Sequence, residues 1–202
     1  MQQTQTSSAV PGQYKGAESF TKACKQYRTN VLADAAFGKA CTRLFDINRW
    51  NEIAGGGAIF RLADNDGNQV LRQPAEGDLI SINISSVPAN DAGDGREWVR
   101  IENITGNGDR GEHVRAIVVR PCNSPLNGSH STAHFFTPDA TSTFMVTRHD
   151  KEVCAMVIGK NETPNTNAQT LWDRVRNVFV GLAAMAGLNK PQWKKLVRGF
   201  LD

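Results

Sequence analysis

The segment from Pro121 to Ala140 contains the side chains of this chain that are best suited to chemistry. It carries Cys122, His130, His134 and Asp139 within the longest irregular connection between predicted elements. Long irregular connections inside compact domains are more often functional than accidental. We therefore predict that His130, His134 and Asp139 contribute to a ligand-binding site.

A metal site in the same segment is the alternative. The four-residue spacing of His130 and His134 would place both imidazoles on one face of a helix, where Cys122 or Asp139 could complete a ligand set. The proline, glycine, serine and threonine content of the segment argues against a helix there. We accordingly predict exposed loop histidines, with no metal ion and no cofactor.

Residues 182–198, LAAMAGLNKPQWKKLVR, resemble the helix-turn-helix pattern of DNA-binding proteins. The small Ala183 and the turn glycine Gly187 fall where that motif needs two helices to cross closely. The resemblance implies phosphate contacts from basic side chains and a base contact from a glutamine. The DNA-binding residues that it implies are Lys190, Gln192, Lys194, Lys195 and Arg198.

An ordinary helical hairpin that packs on a sheet would need the same glycine turn and the same apolar stripes. The net charge of the chain is +3, which selects neither nucleic acid nor an anionic membrane. We therefore favour structural packing of this segment and keep DNA binding as an alternative.

Other motifs with a known chemistry are weak. The glycines at 55–57 follow a predicted helix and precede a strand, which is typical of a helix end and not of a phosphate loop. The run from Asp64 to Asn68 resembles the start of a calcium loop but lacks the later ligands, so it predicts a hairpin turn. The chain has no Gly-x-Ser-x-Gly, Walker or His-Glu-x-x-His motif, and we predict a non-enzymatic protein.

Length and composition predict one folded domain. The 202 residues contain 40% hydrophobic and 21% charged side chains, which suits a single core. Residues 1–16 have little to bury and predict a mobile tail, with a domain over 17–202. No apolar run reaches about 18 residues, so no membrane span is expected. The chain has neither a secretory signal pattern nor a disulfide pattern, and on these two grounds a soluble protein is expected and the cytoplasm is slightly favoured.

The four cysteines contain no C-x-x-C pair, which argues against a zinc knuckle and a thioredoxin-type centre. Three of them lie in apolar patterns that are typical of small core residues, and a domain of this size does not need disulfides. We expect all four to be reduced: Cys24, Cys41, Cys122 and Cys154.

Apolar periodicity predicts the order of the elements. Phe20, Cys24, Tyr27 and Val31 recur at helical spacing, so helices are expected over 17–50. Alternating and continuous apolar runs predict a sheet over 58–160, including a strand from Gln69 to Arg72. The run from Val153 to Ile158 has no polar alternation, so this strand should be buried on both faces. Residues 170–202 predict a helical hairpin with a turn at Gly187.

These elements define an α+β fold, with an antiparallel, strongly curved or barrel-like sheet of about six to seven strands, an N-terminal helical pair and a C-terminal helical hairpin. The order of helices, sheet and long final helix resembles the START-like helix-grip fold, which implies an apolar ligand cavity. That family opens with a strand, which residues 1–16 do not supply, and an SH3- or OB-like barrel with added helices is preferred. The leading hypothesis for function is a binding or interaction domain for an unknown small molecule or protein.

Overall fold

The computed structural model describes residues 9–56, 58–84, 91–106, 113–128, 131–165 and 182–202. These residues form a single antiparallel sheet and three α-helices, in the order β1 (Ala17–Gln26), α1 (Asn30–Phe45), α2 (Trp50–Ile53), β2 (Ala58–Ala63), β3 (Leu79–Ile84), β4 (Glu97–Thr105), β5 (Val114–Pro121), β6 (Thr141–His149), β7 (Glu152–Glu162) and α3 (Leu182–Leu201). The α+β class and the curled, seven-stranded antiparallel sheet that the sequence predicts are confirmed.

The sheet has the strand order β1-β7-β6-β5-β4-β3-β2, and every neighbouring pair is antiparallel. The first strand therefore pairs with the last, which places β7 between β1 and β6. All six residues from Val153 to Ile158 are buried. The prediction that this strand is covered on both faces is confirmed, because side chains from its two faces belong to two different apolar clusters.

The concave face of the sheet is covered by all three helices. Trp50 at the start of α2 is fully buried, and its ring lies 4.5 Å from the ring of Phe144 and 5.7 Å from that of Phe200. Its indole nitrogen donates hydrogen bonds to the carbonyls of Arg43 and Leu44 at 3.2 Å. This one side chain thus connects α1, α2, β6 and α3, and its polar atom is satisfied inside the core.

The last two turns of α3 are fixed against the rest of the core. Leu196, Val197 and Phe200 are fully buried. A Cβ atom at Gly199 would lie 2.5 Å from Ile53, so this glycine permits the close approach of α3 and α2. Two cations cover the carbonyl end of the helix, since Arg43 donates to the carbonyl of Phe200 and Lys25 donates to that of Leu201. These bonds satisfy acceptors that the helix leaves open.

The N-terminal region differs from the prediction. The helical spacing of Phe20 and Cys24 is incidental, because residues 17–26 form strand β1 and Phe20 is exposed on its outer face. The side chains of Ser19 and Ala23, on the inner face, are small and give no apolar pattern. Nine backbone positions pair with β7, and this pairing decides the conformation.

Residues 9–16 are held in place, in contrast to the predicted tail of residues 1–16. Asn161 accepts hydrogen bonds from the backbone of Tyr14 and Lys15 and donates one to the carbonyl of Gly12. Ala9 is buried against the outer face of the sheet. Residues 1–8 lie outside the described part of the chain.

Two further elements were predicted wrongly. The backbone of α3 is one continuous helix from Leu182 to Leu201, so the turn expected at Gly187 is absent and the C-terminal hairpin is wrong in that respect. Pro191 removes one backbone donor without ending the helix. The strand expected from Gln69 to Arg72 is reduced to one isolated bridge, between Ala63 and Gln69.

The prediction of four reduced cysteines is also wrong. Cys24 and Cys154 form a disulfide between β1 and β7, with a Cα–Cα distance of 4.1 Å. They lie directly opposite each other in the register of the two strands, 130 residues apart in the chain. Cys41 and Cys122 are free thiols. The disulfide removes one of the two grounds on which the cytoplasm was favoured.

Replacing Leu44 by alanine should destabilise the protein by about 2 to 5 kcal/mol, because it opens a cavity in the fully packed core under α1. Leu32, which lies in the same helix and is 50% exposed, provides the matched control. Leu32→Ala should change the free energy of unfolding by no more than about 0.5 kcal/mol. Urea denaturation of both variants measures the difference, and equal values would contradict the assignment of this core.

Candidate functional site

A cavity of about 50 Å³ lies between the concave face of the sheet, α3 and the loop that precedes β6. Its walls are mostly aromatic and branched side chains. The apolar lining residues are Trp50, Ala58, Phe60, Ile80, Ile82, Val99, Val119, Phe135, Phe136, Phe144 and Trp193, and the polar ones are His134, Ser142, Glu162 and Gln192. An apolar chamber with a few polar groups is the usual form of a small-molecule site.

The alternation of the strands explains why these side chains meet. Phe60 on β2 pairs with Ile82 on β3, and both face the concave side. Ser142 and Phe144 are two residues apart on β6, so they share one face. The curl of the sheet brings the concave side chains of β2 to β7 around one volume.

The loop at one end of the cavity is fixed by the extension of β7. The backbone N–H of Asn165 donates to the carbonyl of Phe135 at 2.8 Å, and that of Thr137 donates to the carbonyl of Thr163 at 2.9 Å. The carboxylate of the buried Glu97 accepts a hydrogen bond from the N–H of Phe135 at 2.7 Å. These contacts hold residues 134–136 as part of the cavity wall.

His134 is buried, and its ring stacks on that of Phe135 with 4.2 Å between the ring centroids. Burial lowers the pKa of His134 to about 3, because a charged imidazole would lose its hydration. Its Nδ1 accepts a hydrogen bond from the N–H of Phe136 at 3.0 Å, which places the proton of the neutral ring on Nε2. Within the described residues, Nε2 has no hydrogen-bond partner, so a donor remains available in the cavity wall.

Glu162 supplies the complementary acceptor. One carboxylate oxygen, Oε1, accepts a hydrogen bond from the hydroxyl of Ser19 at 2.7 Å, and the described residues offer no donor to Oε2. Burial raises the pKa of Glu162 above its ordinary value, and the hydrogen bond from Ser19 opposes this effect. Gly159 makes the position possible, since a Cβ atom there would lie 1.9 Å from Oε1.

The residues predicted from sequence are only partly brought together. His134 lies in the cavity wall, in contrast to the exposed position that we expected. Asp139 lies outside, where its carboxylate binds Lys15 and the hydroxyl of Tyr14 on the surface. His130 lies outside the described residues. The ligand-binding role of His130, His134 and Asp139 therefore stays a prediction, and the structure associates only His134 with the cavity.

The residues of the DNA-binding alternative are divided between the cavity and the surface. Gln192 lines the cavity, while Lys194, Lys195 and Arg198 are exposed. Lys190 lies in the part of α3 whose side chains are not described. Because the helix is continuous, the segment lacks the turn that a helix-turn-helix requires.

Sequence reasoning missed most of the site. Glu162 follows the predicted end of its strand and carried no motif, although the glycine three residues earlier was a signal of close packing. Trp193 lies in the predicted helical hairpin of residues 170–202, and no motif marked it as part of a site. Gly55, Gly56 and the turn at Asp64 are not among the residues that line this cavity. Asp64 instead accepts hydrogen bonds from the N–H groups of Asp66 and Asn68, as a turn residue does.

Comparison with solved structures supports the fold. The chain superposes on the crystal structure of a hypothetical protein from Helicobacter pylori with a TM-score of 0.53, at 10% sequence identity, over 91% of this chain and 88% of that one. Norcoclaurine synthase from Thalictrum flavum gives a TM-score of 0.38 at 8% identity, covering 90% and 96% of the two chains. Ginseng major latex-like protein 151 from Panax ginseng gives 0.34 at 12% identity, over 85% and 99%. The last two scores are too low to support an argument.

The sequence matches no protein-family model, and it matches no curated protein. The assignment of the fold accordingly rests on the order of its elements and on the strand order of the sheet. In the described residues, a strand, two helices, six antiparallel strands and a long helix on the concave face follow one another in the helix-grip order, and β1 supplies the opening strand that the sequence analysis did not find. Within the described residues, no helix combines the length and apolar character needed to cross a bilayer.

Replacing His134 by asparagine should flatten the pH dependence of stability in mild acid. The folded pKa of about 3 lies below the ordinary value of 6.5, so the unfolded chain binds the proton first as the pH falls. The wild type therefore loses up to about 1.4 kcal/mol per pH unit from this group between these two values. Asparagine keeps an acceptor for the N–H of Phe136 and removes the titration.

Urea denaturation at several pH values between 7 and 4 measures this effect. Substitution of the exposed His149 by asparagine is the control, and its stability should follow the wild-type curve. If His134→Asn lost stability in acid as steeply as the wild type, the buried neutral histidine would be contradicted.

Proposed function

We propose that this protein binds a small, largely apolar molecule with one polar end in the cavity between α3 and the sheet. The supporting observation is the pairing of an apolar chamber with two polar side chains whose hydrogen-bonding capacity is incomplete, His134 and Glu162. Glu162 is only partly buried, and each of the two groups can still form a hydrogen bond with a ligand. A ligand that accepts from His134 and donates to Glu162 would satisfy both.

The chemistry of the two groups defines the polar end of the ligand. His134 is neutral near pH 7 and offers an N–H donor, and the oxygen Oε2 of Glu162 offers an acceptor. A hydroxyl group can accept from the first and donate to the second. Six aromatic rings line the remaining wall: Trp50, Phe60, Phe135, Phe136, Phe144 and Trp193. They suit an aromatic or similarly flat apolar body.

The volume limits the size of the ligand. A cavity of about 50 Å³ holds only a few water molecules. A larger ligand requires Trp193 to move outward. This side chain is only half-buried, and its ring packs against Phe144 at 5.5 Å and Phe60 at 6.2 Å. Trp193 is thus the wall residue through which α3 would adapt to a larger ligand.

The direct test uses 4-bromobenzyl alcohol, whose bromine quenches nearby tryptophan fluorescence. This molecule is larger than the cavity of about 50 Å³, so its binding also tests the outward movement of Trp193. Trp50 and Trp193 both line the cavity, so saturable quenching is expected in the wild type. The same titration with 4-bromotoluene, which has the same body without the hydroxyl, should give about thirtyfold weaker binding, because two hydrogen bonds worth about 1 kcal/mol each are lost. Equal affinities would contradict the polar end.

Filling the cavity should abolish binding. Ala58 lines the cavity, and Ala58→Phe should weaken binding at least tenfold because its ring occupies the site. The neighbouring Ile59 lies on the other face of β2 and is exposed, so Ile59→Phe should bind like the wild type. If neither variant altered the quenching, the ligand would not occupy this cavity, and the proposed function would fail.

A further inference from the structure

We propose that Cys24, Cys154, Glu152 and His149 form a zinc site on the outer face of the sheet when the disulfide is reduced. This site is separate from the ligand cavity on the concave face and does not depend on the proposed function. Two thiolates, a carboxylate and an imidazole are a ligand set that suits tetrahedral Zn²⁺.

Strand register brings the four residues together. Cys24 on β1 lies opposite Cys154 on β7, and Glu152 on β7 lies opposite His149 on β6. Glu152 and Cys154 are two residues apart on one strand, so the two cross-strand pairs lie on the same face of the sheet. Directly paired side chains in antiparallel strands have Cβ atoms about 5 Å apart, and diagonal neighbours are within reach of long side chains.

The distances fit a shared ion. The sulfur atoms of Cys24 and Cys154 and a carboxylate oxygen of Glu152 all lie within 4.8 Å of one another. The carboxylate oxygen Oε2 of Glu152 lies 3.3 Å from the sulfur of Cys154. A disulfide sulfur carries no proton to donate, so this contact has no hydrogen bond to explain it in the oxidised protein. Metal–sulfur bonds of about 2.3 Å would place an ion between these atoms after small side-chain rotations.

His149 supplies the fourth ligand from the end of β6. Its side chain is 68% exposed, which leaves it free to rotate toward Glu152. Its Nδ1 lies 3.4 Å from the carboxylate of Asp150 in the turn between β6 and β7. A carboxylate that orients a coordinating imidazole is a common feature of zinc sites.

The zinc site can form only after the Cys24–Cys154 disulfide is reduced. A dithiol transfers two electrons and two protons to the Cys24–Cys154 disulfide, and its own two sulfurs become joined. The two protein thiols then release their protons to solvent when their thiolates bind Zn²⁺. Oxidation and metal binding are therefore mutually exclusive at these two sulfurs.

Cobalt binding tests the site directly. The protein is reduced with dithiothreitol, freed of it under nitrogen, and titrated with Co²⁺, which gives thiolate charge-transfer and tetrahedral d–d absorption bands. We expect one Co²⁺ per chain, displaced by Zn²⁺, in the reduced protein and no such bands in the oxidised protein. A reduced protein without these bands would overturn the proposal, and so would a reduced chain that unfolds and is not refolded by Zn²⁺.

Variants separate this site from the other cysteines. Burial raises the pKa of Cys41 to about 12 and that of Cys122 to about 11, so neither is expected to bind. A Cys41→Ala/Cys122→Ala variant should keep the bands, and a Cys24→Ser/Cys154→Ser variant should lose them. The reverse result would overturn the proposal.

The carboxylate and the imidazole are tested in the same way. Glu152→Gln and His149→Gln should each weaken Zn²⁺ binding at least tenfold, as measured by competition with Co²⁺. Lys22→Gln, on the exposed outer face of β1, is the matched surface control and should leave the affinity unchanged. Wild-type affinity in either ligand variant would overturn the four-ligand site.

Discussion

The packing of Trp50 is the constraint on which the rest of the structure depends. An indole of this size is fully buried only if several elements close around it, and here α1, β6 and the end of α3 do so. Its N–H group is satisfied by the last turn of α1, so the ring is fixed in orientation as well as position. The sheet can curl around this ring because α3 covers the side that would otherwise face water.

The cavity follows from the same arrangement. Gly199 lets the C-terminal end of α3 contact Ile53, while earlier in the helix the ring of Trp193 packs over Phe60 and Phe144 on the sheet. The cavity between α3 and the sheet is lined by Trp50, Phe60 and Phe144. The residues around Gly199 thus close the core, whereas Trp193 forms part of the cavity wall.

The two faces of β7 also have separate roles. Val153, Ala155 and Val157 belong to the concave core, whereas Cys154 and Met156 belong to the outer cluster. Because both faces of this strand are closely packed, a shift of the side chains on one face requires repacking of those on the other. The disulfide to β1 fixes the strand that completes the sheet at this edge.

The elements with strong local patterns were predictable from sequence, and those decided by distant contacts were not. The apolar runs of β6 and β7 and the alternation of Ile80 and Ile82 predict their strands directly. Strand β1 was missed because its inner residues are small, and only its pairing with β7, more than 120 residues away, reveals it. His134 was expected to be exposed because its segment has a loop composition.

The site itself was harder to predict than the fold. Burial of His134 results from hydrogen bonds between its loop and the extension of β7, and no local pattern encodes them. Glu162 enters the cavity wall because Gly159 leaves room for its carboxylate. These contacts depend on which strands become neighbours, and the local patterns of a single sequence do not specify the strand order.

The most direct test of the ligand cavity is a crystal structure with 4-bromobenzyl alcohol, in which the anomalous signal of bromine locates the ligand. Our account predicts one peak in the cavity beside Phe144, with Trp193 displaced outward and the hydroxyl group within hydrogen-bond distance of His134 and Glu162. A cavity that stays empty at a saturating concentration, or bromine peaks only on the outer surface, would contradict it.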